Sequence, residues 1–373
     1  MKKIHKTFLV SIVVVFSAFL LSFTVFAEYS NIDDYAKEFD FQSVVDTVSG
    51  ETIDILNEMG IDEISWEKLF SVEISKVVDV LLEMGARAFK MPMEFLVCSM
   101  GVVIITSILS SFIKSPEIVK IIGGSVLALC CAVPLTGTIT TAFSVLETLN
   151  IFTTAFAGVF CALVSSSGNV VLGTSYASLA VLSDSLFSAL LSGVGEPLVN
   201  AMCALGFLSC FDIYGLSTRI CALVKKIYVS FIGFIATFFS GIVTLKGVMG
   251  AGADSLTSRG VRFVVGRTLP VVGGAVSETY SALVSSLSLI KNTVGIFGIV
   301  TVVLTVLPSL TEIFSWIIVL TVVSEISDFL NSEYTGGLLN VIKDALTLLG
   351  VTIIFSAVIF VVSIGVVIFV KGV

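Results

Sequence analysis

The sequence predicts an all-α fold: a polytopic helical membrane protein with a small helical extracytoplasmic domain at its N-terminus. Only 13% of the 373 residues are charged, against about 25% in an average soluble domain. Hydrophobic residues make up 56% of the chain, and several apolar runs approach the ~20 residues that cross a bilayer as a helix. A soluble protein of this size needs more polar surface than these residues supply. The composition therefore excludes an ordinary soluble enzyme, a secreted disulfide scaffold and a disordered protein.

The first 27 residues are predicted to be a signal peptide. A lysine-rich start precedes an apolar run over 7–26, and Val25 and Ala27 occupy the two positions that a signal peptidase reads. We expect cleavage after Ala27; the alternative is an uncleaved first membrane anchor. His5 is the single histidine of the chain, so cleavage leaves a mature protein without histidine. That excludes histidine-based zinc sites and histidine-driven acid–base or triad chemistry.

Residues 28–92 are predicted to form an acidic helical domain outside the cytoplasm, because they follow an export signal. Over residues 28–90 there are 15 Asp and Glu against 5 Lys and Arg, which does not suit nucleic acid or an anionic lipid surface. Serine and glycine signals predict a short helix over 51–59 and a longer one from Trp66 that Pro92 ends. The longer helix is either a solvated amphipathic helix or a docking surface for a partner. So short a segment buries little core alone, and we expect it to rest against something else.

The multi-pass transmembrane domain is predicted over 93–373. Hydrophobic runs suited to crossing lie at 93–113, 121–143, 148–166, 170–193, 198–217, 227–245, 294–323 and 347–370. A further stretch, 268–290, is apolar but broken by proline, glycine and glutamate, which predicts a spanning, re-entrant or broken helix. Simple alternation of the runs places the cations of 246–267 outside, against the positive-inside rule. One run is therefore expected to be re-entrant, or 219–267 contains an interfacial helix.

Catalytic motifs do not occur in the sequence. Gly250-Ala251-Gly252 lacks the spacing of a dinucleotide fingerprint and the lysine of a phosphate-binding loop, so the chain is not expected to hydrolyse ATP itself. Neither a nucleophile elbow nor a paired-carboxylate hydrolase pattern occurs. We therefore expect no enzyme activity, no catalytic residue, no metal site and no cofactor.

The strongest local pattern lies at 259–298. Arg259 and Arg262 sit about one helical turn apart and form a basic face before Pro270, which removes a helical hydrogen bond. The further members of the pattern are Gly273, Gly274, Glu278, Lys291, Gly295 and Gly298. Irregular backbone at membrane depth persists only where protein or water surrounds it. The pattern indicates either a gate or assembly contact, or a basic loop followed by a kinked packing helix.

Acidic residues also lie within or beside the apolar runs, at Asp184, Glu196, Asp212, Glu278, Glu312, Glu325 and Asp328. Each costs about 2.5–3.5 kcal/mol at the centre of a membrane helix. Glu278 follows two glycines, and Glu312 follows Pro308, which interrupts its apolar run. We predict that both acids line a pore or are ion-paired, with Arg267 or Lys291 as partners. The last two acids of the set lie one turn apart near the end of a run, where they are expected to reach water.

The string PVVGGAVSE at 270–278, its upstream basic helix, and LIKN followed by two spaced glycines at 289–298 resemble the stage III sporulation protein AE family. The overall plan of signal peptide, acidic outer domain and polytopic body is similar too, so the resemblance covers essentially the full chain. It implies a component of the complex that endospore-forming bacteria build in the mother-cell membrane around the forespore. With a forespore-made partner, that complex is thought to form a channel related to specialised secretion systems, and a separate protein supplies the ATPase.

Two functions follow from these observations. The first is a permease-like, integral-membrane subunit of a multi-protein intercellular channel required during endospore formation, with other membrane subunits and a separate ATPase as partners and no role for nucleic acid. The alternative is a stand-alone secondary transporter of a small solute. A stand-alone transporter works without partners and gains nothing from an acidic outer domain, so deletion of 28–90 discriminates between the two.

Overall fold

The computed structural model describes residues 41–59, 74–113, 116–211, 215–268, 273–330 and 333–369, apart from some side chains, chiefly those of 255–289. The predicted signal peptide, Trp66 and Pro270 lie outside the described residues. Within them every regular element is helical and no strand occurs, which confirms the all-α prediction. Five described stretches are long and apolar enough to cross a membrane: 79–112, 121–166, 216–254, 290–329 and 336–368. The protein is therefore a polytopic helical membrane protein.

The helices are α1 (Phe41–Val45), α2 (Gly50–Glu58), α3 (Ile74–Phe112), α4 (Pro116–Ser166), α5 (Val170–Ser188), α6 (Glu196–Ser209), α7 (Leu216–Thr268), α8 (Gly273–Phe329) and α9 (Glu333–Phe369). A π-helical turn, Ala189–Gly195, joins α5 to α6. Helices α3 and α4, the α5–α6 rod, and α7, α8 and α9 alternate in direction along the bundle. Contacts at its two ends show this: Leu172 of α5 lies against Gly250 of α7, whereas Gly206 of α6 lies against Val341 of α9.

Helix α2 confirms the short helix predicted in the acidic segment. The Ser49 side chain accepts a hydrogen bond from the Thr52 backbone N–H at 3.2 Å, which satisfies one free donor of the first turn. Ile55 and Leu56 are buried, and the Thr52 hydroxyl lies 3.0 Å from the Thr305 hydroxyl of α8 in a buried contact. The described part of the acidic segment therefore packs against the transmembrane body.

The prediction that Pro92 ends a helix is wrong, because α3 continues through it to Phe112. An internal proline leaves the carbonyl four residues before it without its usual donor. Here that carbonyl belongs to Ala88, and the Ser315 hydroxyl of α8 donates to it at 2.8 Å. A neighbouring helix thus satisfies the freed group, as membrane bundles commonly do.

The predicted spans 121–143 and 148–166 are one continuous helix, α4, so that division was wrong. The four residues between them include no glycine or proline that would stop a helix. The predicted spans 170–193 and 198–217 likewise run on in one direction, through the π-helical turn. Pro197 lies just after this turn, and the missing proline N–H disturbs the helical ladder there without reversing the chain. The described membrane body therefore has fewer and longer helical rods than the sequence predicts.

The hairpin of α8 and α9 forms the centre of the bundle. Of the most apolar stretch of α8, 83% is buried, against 22% for α3 and 22% for α7. Trp316 of α8 is fully buried and packs against Phe95 of α3, with ring centroids 5.5 Å apart. Helix α8 also passes through Pro308 without a break. The remaining long helices pack around this hairpin and turn other faces outward.

Candidate functional site

The residues of the 259–298 pattern divide into two groups in the structure. Arg259 and Arg262 lie in the last turns of α7, and Gly273, Gly274 and Glu278 lie in the first turns of α8. Pro270 is outside the described residues, and the side chains of this first group are not described, so its gate or assembly role stays a prediction. The second group, Lys291, Gly295 and Gly298, lies further along α8 against the end of α9.

Lys291 is 1% exposed and is one of the largest fully buried side chains. Its ammonium donates a hydrogen bond to the backbone carbonyl of Val367 at 3.2 Å. Val367 lies in the last turn of α9, where carbonyl groups have no partner further along the helix. A cation at this position also suits the negative end of the helix dipole. Lys291 therefore binds the C-terminal end of α9.

Gly295 and Gly298 allow α8 to approach its neighbours closely. A Cβ atom at Gly295 would lie 2.6 Å from Ile368 Cδ1, and one at Gly298 would lie 2.6 Å from Phe156 Cζ. Contacts this short do not occur between real side chains, so a larger residue at either position requires the side chain of Ile368 or Phe156, or the helix that carries it, to move. Small residues at helix contacts are typical of membrane bundles. In the structure these two glycines are packing positions.

Glu312 lies on α8 and is partly buried. Its carboxylate accepts a hydrogen bond from the Thr138 hydroxyl of α4 at 2.6 Å. The predicted partnership with Lys291 is wrong, because 21 residues of one helix separate the two by about 31 Å and Lys291 binds Val367 instead. The acid is therefore held by a neutral hydroxyl.

Glu312 also borders a cavity of about 690 Å³ between the acidic segment and the transmembrane body. Its charged lining residues are Glu51, Asp54, Glu58, Arg87, Lys90 and Glu312. The Arg87 Nη2 atom lies 2.7 Å from Glu83 Oε1 and 3.7 Å from Glu58 Oε1. Because the Arg87 side chain is 65% exposed, these ion pairs contribute little stability. The cavity lies between α2, α3, α4 and α8, has both charged and apolar side chains in its lining, and is large enough for several water molecules.

Two buried acids were missed in the sequence. Asp344 of α9 forms a salt bridge with Lys225 of α7, with side chains 12% and 17% exposed. Asp254 of α7 is 3% exposed, and its two carboxylate oxygens accept hydrogen bonds from the backbone N–H groups of Val171 and Leu172 at 2.9 and 2.8 Å. Lys225 and Asp344 each stand just before an apolar run, so both resembled charges at a membrane boundary, and Asp254 lies beyond the end of its run.

Of the other predicted acids, Glu325 and Asp328 lie near Lys343, beside the Lys225–Asp344 pair. Glu196 is exposed at the start of α6, and Asp212 and the side chain of Asp184 lie outside the description. Glu325 and Asp328 lie in the last turns of α8. Among the described residues, no group of three or more His, Cys, Asp or Glu side chains is placed to hold a metal ion.

Comparisons with known proteins identify the family of this chain. The family described as stage III sporulation protein AE (spore_III_AE) matches residues 53–371. A protein named stage III sporulation protein AE from Bacillus subtilis (strain 168) is 25% identical over 154 residues, which cover 41% of this chain and 39% of that protein. No solved structure gives a significant match. The family match covers most of the chain, so this protein belongs to the stage III sporulation protein AE family.

Proposed function

We propose that the protein is a permease-like, integral-membrane subunit of a multi-protein intercellular channel that acts during endospore formation. Family membership supports a role in sporulation, and the apolar helices support a multi-pass membrane location. In this proposal the protein resides in the mother-cell membrane around the forespore, with its acidic segment outside the cytoplasm. Its partners are other membrane subunits and a separate ATPase, and the protein itself is not an enzyme.

The observation that carries the channel role is the cavity beside Glu312. A carboxylate in a membrane helix is retained where water or a polar partner offsets its desolvation. Glu312 has both a hydroxyl partner, Thr138, and a charged cavity of about 690 Å³ in front of it. A half-open space of this size beside an intramembrane acid supports the entry of hydrophilic material at this point of the bundle.

Substitution of Glu312 tests this role. In a sporulating host that lacks its own copy, Glu312→Gln should retain the Thr138 hydrogen bond and wild-type abundance but reduce the yield of heat-resistant spores, because the charge is lost. Glu312→Leu should reduce the yield at least as much. The matched control is Asp79→Asn, which removes an exposed carboxylate of α3 and should sporulate normally. Full complementation by Glu312→Leu at normal abundance would exclude a working role for this acid.

Deletion of residues 28–73, which leaves α3 and its membrane-crossing stretch whole, separates a complex subunit from a stand-alone transporter. A subunit should lose sporulation function and its association with the other membrane proteins, because the acidic segment packs on α8 beside the cavity. A stand-alone transporter should keep solute uptake when the purified body is reconstituted alone in vesicles. Uptake by the isolated body would therefore contradict the proposed function.

A further inference from the structure

The outward face of α4 is apolar in the first half of the helix and mostly polar in the second half. In the first half the exposed side chains include Ile118, Ile122, Val126, Leu129 and Val133. In the second half they include Thr136, Thr140, Ser144, Glu147, Thr154 and Gly158, which we call the polar face of α4. Ile151 is the single large apolar side chain exposed between 136 and 166, a range described in full. The first half therefore suits lipid, and the second half does not.

The central hairpin provides a depth scale for comparing the two sides of the bundle. Gly298 of α8 lies against Ile364 of α9, and the helices are joined at 330–333. Residues equally distant from this connection lie level, because the two helices run antiparallel with a rise of about 1.5 Å per residue in each. Glu312 of α8 is therefore level with the part of α9 around Thr352.

Two hydrogen bonds identify the residues of α4 and α7 that lie at this depth. Thr138 of α4 donates to Glu312 at 2.6 Å, and the Tyr228 hydroxyl of α7 lies 3.0 Å from the Thr352 hydroxyl. Thr138 and Tyr228 thus mark one depth on two sides of the hairpin. Helices α4 and α7 run in the same direction, so residues equally far beyond these two markers share a depth.

At matched depths the two sides differ sharply in polarity. Ser144 of α4 is level with Phe234 of α7, and Thr154 lies within one residue of the depth of Leu245. Phe234 and Leu245 are 69% and 65% exposed. Exposed Phe and Leu suit a bilayer. Glu147, exposed between Ser144 and Thr154, would cost about 2.5–3.5 kcal/mol in the middle of one. Lipid therefore does not surround both sides at this depth.

We propose that the polar face of α4 lines a water-filled passage for hydrated solutes, while α7 at the same depth faces lipid. A separate observation supports water on this side: Thr141 and Val145 of α4 line the cavity that contains Glu312. The cavity therefore adjoins the polar face. This inference rests on the proposed channel function and assigns the passage to one helix.

Cysteine accessibility at matched depths tests the assignment. The four variants are Ser144→Cys and Thr154→Cys on α4, and Phe234→Cys and Leu245→Cys on α7, made in the full chain after its seven free cysteines are replaced by serine or alanine. In native membranes, a charged, membrane-impermeant thiol reagent should modify both α4 variants at least about tenfold faster than both α7 variants, because thiolates form only where water reaches. If the cysteine-free background fails to fold, the same positions are followed by peptide mass spectrometry in the native background.

Each other pattern of labelling overturns the proposal. Slow reaction at all four positions places both helices in lipid. Fast reaction at all four places this depth outside the membrane. A third outcome is that both α4 positions react slowly while Ser144→Cys forms disulfide cross-links between two copies of the protein. That result would show that the polar face of α4 is a contact between copies. Spore yield of the same variants is scored separately, so a failure of the channel function remains distinguishable from a wrong assignment of its wall.

Discussion

Lys225 of α7 and Asp344 of α9 form a salt bridge inside the helix bundle, with side chains only 17% and 12% exposed. The pair joins an outer, lipid-exposed helix to the central hairpin. Next to it, the Lys343 ammonium donates to the side-chain oxygen of Asn340 at 2.7 Å. Intramembrane charges are expensive unless paired, so this contact holds α7 in one position against α9.

Removal of one member of this pair should destabilise the fold strongly. Asp344→Ala leaves the Lys225 ammonium buried without its partner, which typically costs about 3–5 kcal/mol. Thermal unfolding in detergent and abundance in membranes measure the effect. The double exchange Lys225→Asp with Asp344→Lys should recover much of the loss, because opposite charges face each other again. An exchange variant no more stable than either single variant would show that the pair contributes no specific attraction.

Asp254 should protect the first turn of α5 from hydrogen exchange. The first N–H groups of a helix have no partner within the helix, and here the carboxylate accepts from Val171 and Leu172. Asp254→Ala should lower stability by about 1–3 kcal/mol and speed exchange at these two amides, while Asp254→Asn should have a smaller effect. Hydrogen exchange with mass spectrometry checks this, with α9 peptides as the internal control. Unchanged exchange at 171 and 172 in Asp254→Ala would contradict the capping role.

Alanine at Gly298 should be far more costly than alanine at Gly233. A Cβ at Gly298 meets the Phe156 ring at 2.6 Å, whereas one at Gly233 meets nothing within 4 Å. Overpacking of this kind costs about 1–3 kcal/mol. Melting temperatures of the two variants in the same detergent provide the comparison. Equal melting temperatures would mean that α8 and α4 are not as closely packed as described.

A cysteine pair should cross-link the acidic segment to the body. The hydroxyl oxygens of Thr52 and Thr305 are 3.0 Å apart, so the two side chains meet directly, as the partners of a disulfide must. Thr52→Cys with Thr305→Cys should therefore oxidise readily in membranes, as detected by peptide mapping without reductant. Thr52→Cys with Thr321→Cys is the control, since Thr321 lies 16 residues further along α8, about 24 Å away. Equal cross-linking by both pairs would contradict a fixed docking of α2.

The mature chain should begin at Glu28. A charged start, an apolar run and Ala27 form the pattern that a signal peptidase reads. N-terminal sequencing or intact-mass measurement of the protein from its membrane checks this directly. A chain that retains Met1 would show instead that the segment stays as a membrane anchor.

Composition and long apolar runs predicted the helical class, and serine and glycine signals predicted α2, because such signals act within a few residues. These local signals could not predict how many separate helical rods form the membrane body. Pro92 reads as a helix end in the sequence, yet the group that satisfies the freed Ala88 carbonyl is Ser315, which lies 227 residues away. Here a neighbouring helix supplies the donor that the proline lacks, so the helix continues. Which residue supplies it depends on the tertiary fold and not on the local sequence.

The candidate site was also only partly predictable from the local sequence. The sequence pointed to Glu312 as a candidate, because Pro308 and a long apolar run surround it. Its partner was not, since Thr138 is one of many similar hydroxyls and Lys291 is the more obvious cation. Asp344 was overlooked because a charge beside an apolar run looks like a boundary, and only the packing of α7 on α9 buries it.

The continuation of α5 into α6 in one direction also bears on the membrane topology, because it determines the side on which we expect the chain to emerge. Two separate spans there would return the chain to its starting side, whereas we expect the single rod to carry it across. With α4 undivided as well, the alternating rods from α3 to α9 bring the end of α9 back to the end of the bundle where α3 begins. Reporter fusions after Phe369 and within the acidic segment should then report the same compartment, opposite to the Lys225 end of α7.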